Sequence, residues 1–160
     1  MSDAGAGAAD SAMTPETSGT ILLVDDNEQN LELMQAYLDE LGCRVVTARD
    51  GVEALERFAE CRPDLVLLDI MMPRMSGFQV CAKLKGDPAT NAIPVVMVTA
   101  LNETSDVERA VESGADDFLT KPVNKLELLT RARSLLHVRQ LRTKLDETVA
   151  ELKRARGNEG

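Results

Sequence analysis

Polar residues that could do chemistry stand at the ends of short apolar runs. Asp25-Asp26 follow Ile21-Leu22-Leu23-Val24, Asp69 follows Leu65-Val66-Leu67-Leu68, Thr99 follows Val95-Val96-Met97-Val98, and Lys121-Pro122 follow Phe118-Leu119-Thr120. In an open parallel sheet the carboxyl ends of all strands share one edge, and ligands bind along it. Carboxylates, a hydroxyl and an ammonium meeting there would suit a divalent cation and a phosphoryl group. Magnesium takes oxygen ligands and needs only one or two carboxylates beside a phosphate oxygen. Asp25, Asp26 and Asp69 crowded together repel one another, so each ionises at a cost that a cation would remove. Phosphoryl transfer asks mainly for positioning and charge neutralisation. Lys121 can supply a compact second positive charge and Thr99 a hydroxyl donor, leaving Asp69 as the candidate nucleophile for an acyl phosphate.

The elements needed to hold these residues alternate along the chain. Residues 1–19 are small, polar and without periodicity, and read as a disordered N-terminal tail. Ile21–Val24 reads as a buried strand, and Asn27–Leu41 as a helix with Leu31, Met34, Leu38 and Leu41 on one face. Arg44–Ala48 reads as the second strand, and Asp50 as the cap of a helix Val52–Glu60 that faces inward through Val52, Leu55 and Ala59. Leu65–Asp69 is the third strand, followed by a loop and a helix carrying Phe78, Val80, Cys81 and Leu84. Ile93–Val98 is the fourth strand, Thr104–Ser113 a short helix, Asp117–Thr120 the fifth strand, and a last helix begins near Asn124. Five strands alternating with five helices through short connections predict a doubly wound α/β domain over residues 20–139.

Composition narrows the function classes. The 160 residues suffice for one domain with a real core, which must be aliphatic because aromatics are only 2%. With 18 Lys+Arg against 27 Asp+Glu the net charge is -9, which argues against direct nucleic-acid binding by this domain. The apolar runs are far below membrane-spanning length and the N-terminus lacks a basic-plus-apolar leader, so a cytoplasmic protein without membrane contact is expected. Cys43, Cys61 and Cys81 lack metal-site spacing and read as small buried hydrophobes. His137, the only histidine, lacks an acidic neighbour and reads as an ordinary helix residue.

Taken in order, these residues resemble the receiver domain of bacterial two-component response regulators over roughly residues 20–139. The acidic pair appears as Asp25-Asp26 and the phosphoacceptor as Asp69. The loop proline and glycine fall at Pro73 and Gly77, and the switch hydroxyl is Thr99 followed by Ala100. Gly114–Pro122 fits the segment around strand five. The intervals from Asp69 to Thr99 (30 positions) and from Thr99 to Lys121 (22 positions) are ones the family uses.

The resemblance implies a flavodoxin-like sheet of strand order 2-1-3-4-5. It implies Mg2+, with Mn2+ as the alternative ion, held by Asp26, Asp69 and the backbone carbonyl of Met71, with Asp25 acting partly through water. Asp69 would accept a phosphoryl group from a phosphohistidine of a sensor histidine kinase or phosphotransfer protein. Thr99 would then move toward the phosphate and Phe118 inward, altering the face of the fourth helix, fifth strand and fifth helix. The Lys121-Pro122 bond would be cis. Such a module promotes its own phosphoryl transfer and dephosphorylation and is a switch, not an enzyme with a separate substrate. A magnesium-dependent phosphatase with an Asp nucleophile is the rival reading. Its usual Asp-x-Asp pair after strand one is replaced here by Asp25-Asp26-Asn27, and no cap domain is inserted. A nucleotide-binding module would need a Gly-rich loop after strand one, and a non-phosphorylated scaffold would not need the full acidic set.

Beyond the domain, helical character continues from Arg139 to about Arg156 without proline. Val138, Leu141, Leu145, Thr148, Leu152 and Ala155 are spaced 3, 4, 3, 4, 3, a seven-residue pattern that suggests a short homodimeric seam in an extended C-terminal helix over 140–160. A stand-alone receiver and a receiver joined to an output domain through this helix both fit. The segment from Asp69 to Arg139 is similar to receivers attached to diguanylate cyclases and other output enzymes.

Met71 and Leu101 flank the acceptor and the switch hydroxyl, where polar side chains can orient a hydrolytic water. Apolar residues there predict a shielded acyl phosphate of long lifetime. Met71→Asn combined with Leu101→Glu should accelerate loss of the phosphoryl group after the donor is removed; an unchanged rate would contradict the shielding role.

Overall fold

The computed structural model describes residues 19–100, 108–109 and 111–159. Five strands form one parallel sheet: β1 (Thr20–Val24), β2 (Arg44–Ala48), β3 (Leu65–Asp69), β4 (Val95–Thr99) and β5 (Asp117–Thr120). Their order is β2-β1-β3-β4-β5, with every neighbouring pair parallel. Helices α1 (Glu28–Leu38), α2 (Gly51–Cys61), α3 (Gly77–Lys85) and the long α4 (Lys125–Glu159) connect and flank the strands. The expected tail over residues 1–18 lies outside the described residues. So do residues 104–107 and 110 of the expected helix Thr104–Ser113, of which residues 108, 109, 111 and 112 are helical.

Because strand side chains alternate between faces, continuous apolar strands fill two cores at once. Leu22, Val24, Val66, Leu68, Val95 and Met97 point to one face, against Ala54 and Phe58 of α2 and Val80, Cys81 and Leu84 of α3. Ile21, Leu23, Leu65, Leu67, Val96, Val98 and Leu119 point to the other, against Leu31, Met34 and Leu38 of α1 and the first turns of α4. Sheet neighbours therefore cannot slip by one residue without exchanging the two cores.

The starts of α1 to α4 are fixed by side chains, that of α4 by Asn124, which accepts from the Glu127 N–H at 3.0 Å. Asn27 accepts from the Asn30 N–H, Asp50 from the Glu53 N–H, and Ser76 forms a reciprocal capping box with Gln79. Their direct consequence is that the loops at the carboxyl edge of the sheet are short and held.

Several expectations are corrected in detail. The first helix ends as a 3-10 turn over Asp39–Leu41, closed by Gly42 at φ 73°. In α2 the buried face is Gly51, Ala54 and Phe58, while Val52 and Leu55 are half-buried and Ala59 exposed. The Asp50 cap sets the helix phase and turns the larger Phe58 inward. In α4, Leu128, Leu129, Ala132 and Leu136 are buried, whereas Leu126, in the first turn and to one side of that face, is exposed. Cys81 is buried, but Cys43 and Cys61 are only partly so. The fourth strand begins at Val95, since Pro94 carries no N–H to donate to the ladder.

Gly77 makes the closest approach. A Cβ there would lie 2.3 Å from the Asp69 carbonyl oxygen and 2.8 Å from the Ile70 Cα. Its own N–H donates to the Ile70 carbonyl at 2.9 Å. The start of α3 is thereby packed on the end of β3. Gly77→Ala should lower stability by about 2 kcal/mol or more through overpacking against backbone. Gly42→Ala, with nothing near its Cβ, should cost about 1 kcal/mol from its left-handed backbone alone. Urea unfolding measures both; equal losses at the two positions would contradict the steric account.

Candidate functional site

The register brings the chemistry together. Val24 pairs with Leu68, so the residues that follow, Asp25 and Asp69, stand side by side at the carboxyl edge. This is also where the strand order reverses, between β1 and β3, the crevice in which open α/β sheets bind ligands. Thr99 ends β4 opposite Thr120, and the Lys121 N–H donates to the Thr99 carbonyl at 2.8 Å, which starts Lys121 back toward the site. The Lys121-Pro122 peptide is cis.

Among the described residues, Asp25 and Asp69 are the buried charged side chains, 1% and 4% exposed. Asp26 is exposed beside them, and one carboxylate oxygen from each of the three lies within 4.8 Å of the others. Asp25 is held by the Asn27 N–H at 2.9 Å, the Asn30 side-chain amide at 3.3 Å and the Lys121 ammonium at 3.1 Å. Lys121 also lies 3.4 Å from Asp69. Burial, then the charge of Asp25, pushes the Asp69 carboxyl up to about 6, although Lys121 and the Met71 N–H favour its ionised form. Burial pulls Lys121 down, but its hydrogen bond to Asp25 and the charges of Asp69 and Asp25 outweigh this and raise it. An all-oxygen donor set with more negative charge than one lysine balances fits a hard divalent cation.

Phe118 is half-buried and packs against the core face that contains Met97, its partner across the ladder. Met71, two residues beyond Asp69, is 65% exposed, and Leu101 lies outside the described residues. His137 is exposed on α4. A groove of about 730 Å³ lies away from the acidic edge, between β5 and α4, lined by Asp117, Leu126, Arg131, Leu135 and Val138 among others.

Two supports carry little or no signal in the sequence. Asn30, five residues past Asp25 and one turn into α1, reaches back to its carboxylate. Arg74, at φ 67°, donates from Nη2 to both carboxylate oxygens of Asp50 at 2.9 Å, tying the loop after β3 to the cap of α2. The Glu53 N–H and then Arg74 hold the Asp50 carboxyl below its usual range. Asn30 had a weak signal in its helix-start position; the Arg74 pair spans 24 positions and left none.

Fold and site together define a parallel α/β module with an acidic crevice at its switch point. The chain belongs to the response regulator receiver domain family, whose family model matches residues 21–133. It is 52% identical over 118 residues to the response regulator PleD of Caulobacter vibrioides, covering 74% of this chain and 26% of PleD. It is 41% identical over 116 residues to the DNA-binding regulator RpaA of Synechocystis, covering 72% and 48%. The chain thus spans from about a quarter to about half of these relatives. Among solved structures it is similar to the receiver domain of a Syntrophus aciditrophicus histidine kinase (TM-score 0.70, 40% identity, covering 74% of this chain and 89% of that one). It is also similar to the receiver domain of a Pseudomonas aeruginosa sensor histidine kinase described with magnesium coordinated in its active-site cleft (TM-score 0.69, 28% identity, covering 74% and 98%). Among the described residues no helix is long and apolar enough to cross a membrane.

The buried charge has a pH signature. An Asp raised from 3.8 to about 6 holds its proton more tightly in the folded state than in the unfolded one. Its ionisation therefore weakens the fold as pH rises through that window, and the penalty persists above it. Metal-free Asp69→Asn should be more stable than the parent at pH 8, on the order of 2 kcal/mol, and nearly equal to it at pH 4. Denaturant unfolding at the two pH values checks this; a variant less stable than the parent at pH 8 would contradict it.

Proposed function

We propose that this receiver domain accepts a phosphoryl group on Asp69 from a phosphohistidine of a sensor kinase or phosphotransfer protein. The observation that carries the reading is the buried Asp69 carboxylate at the end of β3, 3.4 Å from the Lys121 ammonium and clustered with Asp25 and Asp26. Asp26, Asp69 and the Met71 backbone carbonyl, with Asp25 beside them, would hold Mg2+ or Mn2+. When bound, the cation supplies positive charge to the carboxylates and to the oxygens of the incoming group.

An Asp69 carboxylate oxygen forms the new bond to phosphorus as the phosphorus–nitrogen bond to the donor histidine breaks. The electron pair of that bond leaves with the imidazole. Asn27 and Asn30 fix Asp25 through hydrogen bonds, and Asp25 in turn fixes Lys121, so the ammonium is positioned before the phosphoryl group arrives. Thr99, at the end of β4, supplies a hydroxyl to the phosphoryl oxygens. Its movement frees space toward which Phe118 turns, and the face of β5, α4 and the preceding helical residues carries the signal. In this reading the domain is a switch in the cytoplasm, and it acts on a partner or an output domain.

Incubation with a small phosphodonor and magnesium, followed by intact-mass measurement, tests it. One acid-labile phosphoryl group is expected on the parent chain and none on Asp69→Asn. Lys121→Met should retain the fold and gain the group at least tenfold more slowly, the loss of about 1.4 kcal/mol of transition-state stabilisation. Steady turnover of phosphomonoesters with no protein-bound phosphate would instead favour a phosphatase.

A further inference from the structure

Leu136 is the last buried residue of α4, fully enclosed against the sheet. The helix nevertheless continues to Glu159. Along this projecting part Val138, Leu141, Leu145 and Leu152 are 41%, 53%, 62% and 60% exposed, and Val149 at 40% flanks them. An isolated helix of this length is marginal in water unless an apolar face is covered. Residues on the other sides of the projection, including Arg142, Lys144, Asp146, Glu147, Lys153 and Arg154, are charged, so the apolar positions form a single stripe.

We propose that this stripe is the interface of a parallel two-stranded homodimer, formed independently of phosphoryl transfer. Val138, Leu145 and Leu152 take one core position of a seven-residue repeat, and Leu141, Thr148 and Ala155 the other. In parallel register each of the three leucines packs against its own copy. Glu151 then flanks the partner's Arg156, and the symmetry supplies this opposite-charge pair twice. Antiparallel overlap of the same segment would set Leu145 against Thr148 and Val138 against Ala155, leaving less apolar contact. The occupant is thus a second copy of this chain, matched by apolar register and by charge. Arg139, 3.8 Å from Asp64 at the start of β3, lies where the helix leaves the domain and fixes its direction of exit.

Sedimentation of the full chain over a concentration series should give a mass near twice 17.4 kDa. The double variant Leu145→Glu, Leu152→Glu should sediment as monomer, with the unfolding midpoint of its receiver domain unchanged. Orientation is read from Thr148→Cys in a background with Cys43→Ser and Cys61→Ser. Mild oxidation should link the two chains through the new thiols, while Thr143→Cys, on the outer side of the helix, should not link. Monomer at every concentration, a dimer that survives the double glutamate variant, or a dimer not linked through position 148 would each overturn the proposal.

Discussion

Everything at the carboxyl edge of this domain follows from placing two carboxylates, Asp25 and Asp69, in the crevice between β1 and β3 where water is largely excluded. Parallel register forces them together, because Val24 and Leu68 are ladder partners. Burial and mutual repulsion make the pair costly, and one lysine does not balance it. That imbalance raises Asp69 toward 6 and draws Lys121 into contact with both acids. A site charged in this way is poised to gain from any cation or cation-bound group that enters it.

The remainder of the fold keeps that arrangement from relaxing. The two apolar cores lock the strand register from both faces, so the acids cannot separate by slippage. Gly77 lets α3 start directly on the Asp69 backbone, and the Arg74–Asp50 pair anchors the intervening loop to α2. Asn27 and Asn30 at the start of α1 hold Asp25 on its other side. The acidic cluster is therefore supported by three separate helices, and β4 and β5 deliver Thr99 and Lys121 from the remaining flank.

The strands and the acidic cluster were legible in the sequence because buried parallel strands read as apolar runs, and the polar residues that end them stand out. Asp50 was legible as a cap for the same local reason. What was hidden depends on distance in the chain or on helix phase. The partnership of Arg74 with Asp50 is a contact between loops, and no local pattern announces it. In α4, Leu126 and Leu128 look equivalent in a leucine-rich stretch, and only packing against the sheet decides that Leu128 is buried. The inward face of α2 was misassigned because Ala54 contributes little apolar signal, although it sits against the core.

The central claim is that Asp69, set among Asp25, Asp26 and Lys121, is where a phosphoryl group and a divalent cation are received together. Amide NMR spectra recorded with magnesium and beryllium trifluoride, a mimic of a carboxylate-bound phosphoryl group, address it most directly. The account predicts saturable shifts centred on Asp69 and reaching Asp25, Thr99, Phe118 and Lys121, which require both additives and are lost in Asp69→Asn. Shifts of the same pattern in Asp69→Asn, or none in the parent chain, would contradict it.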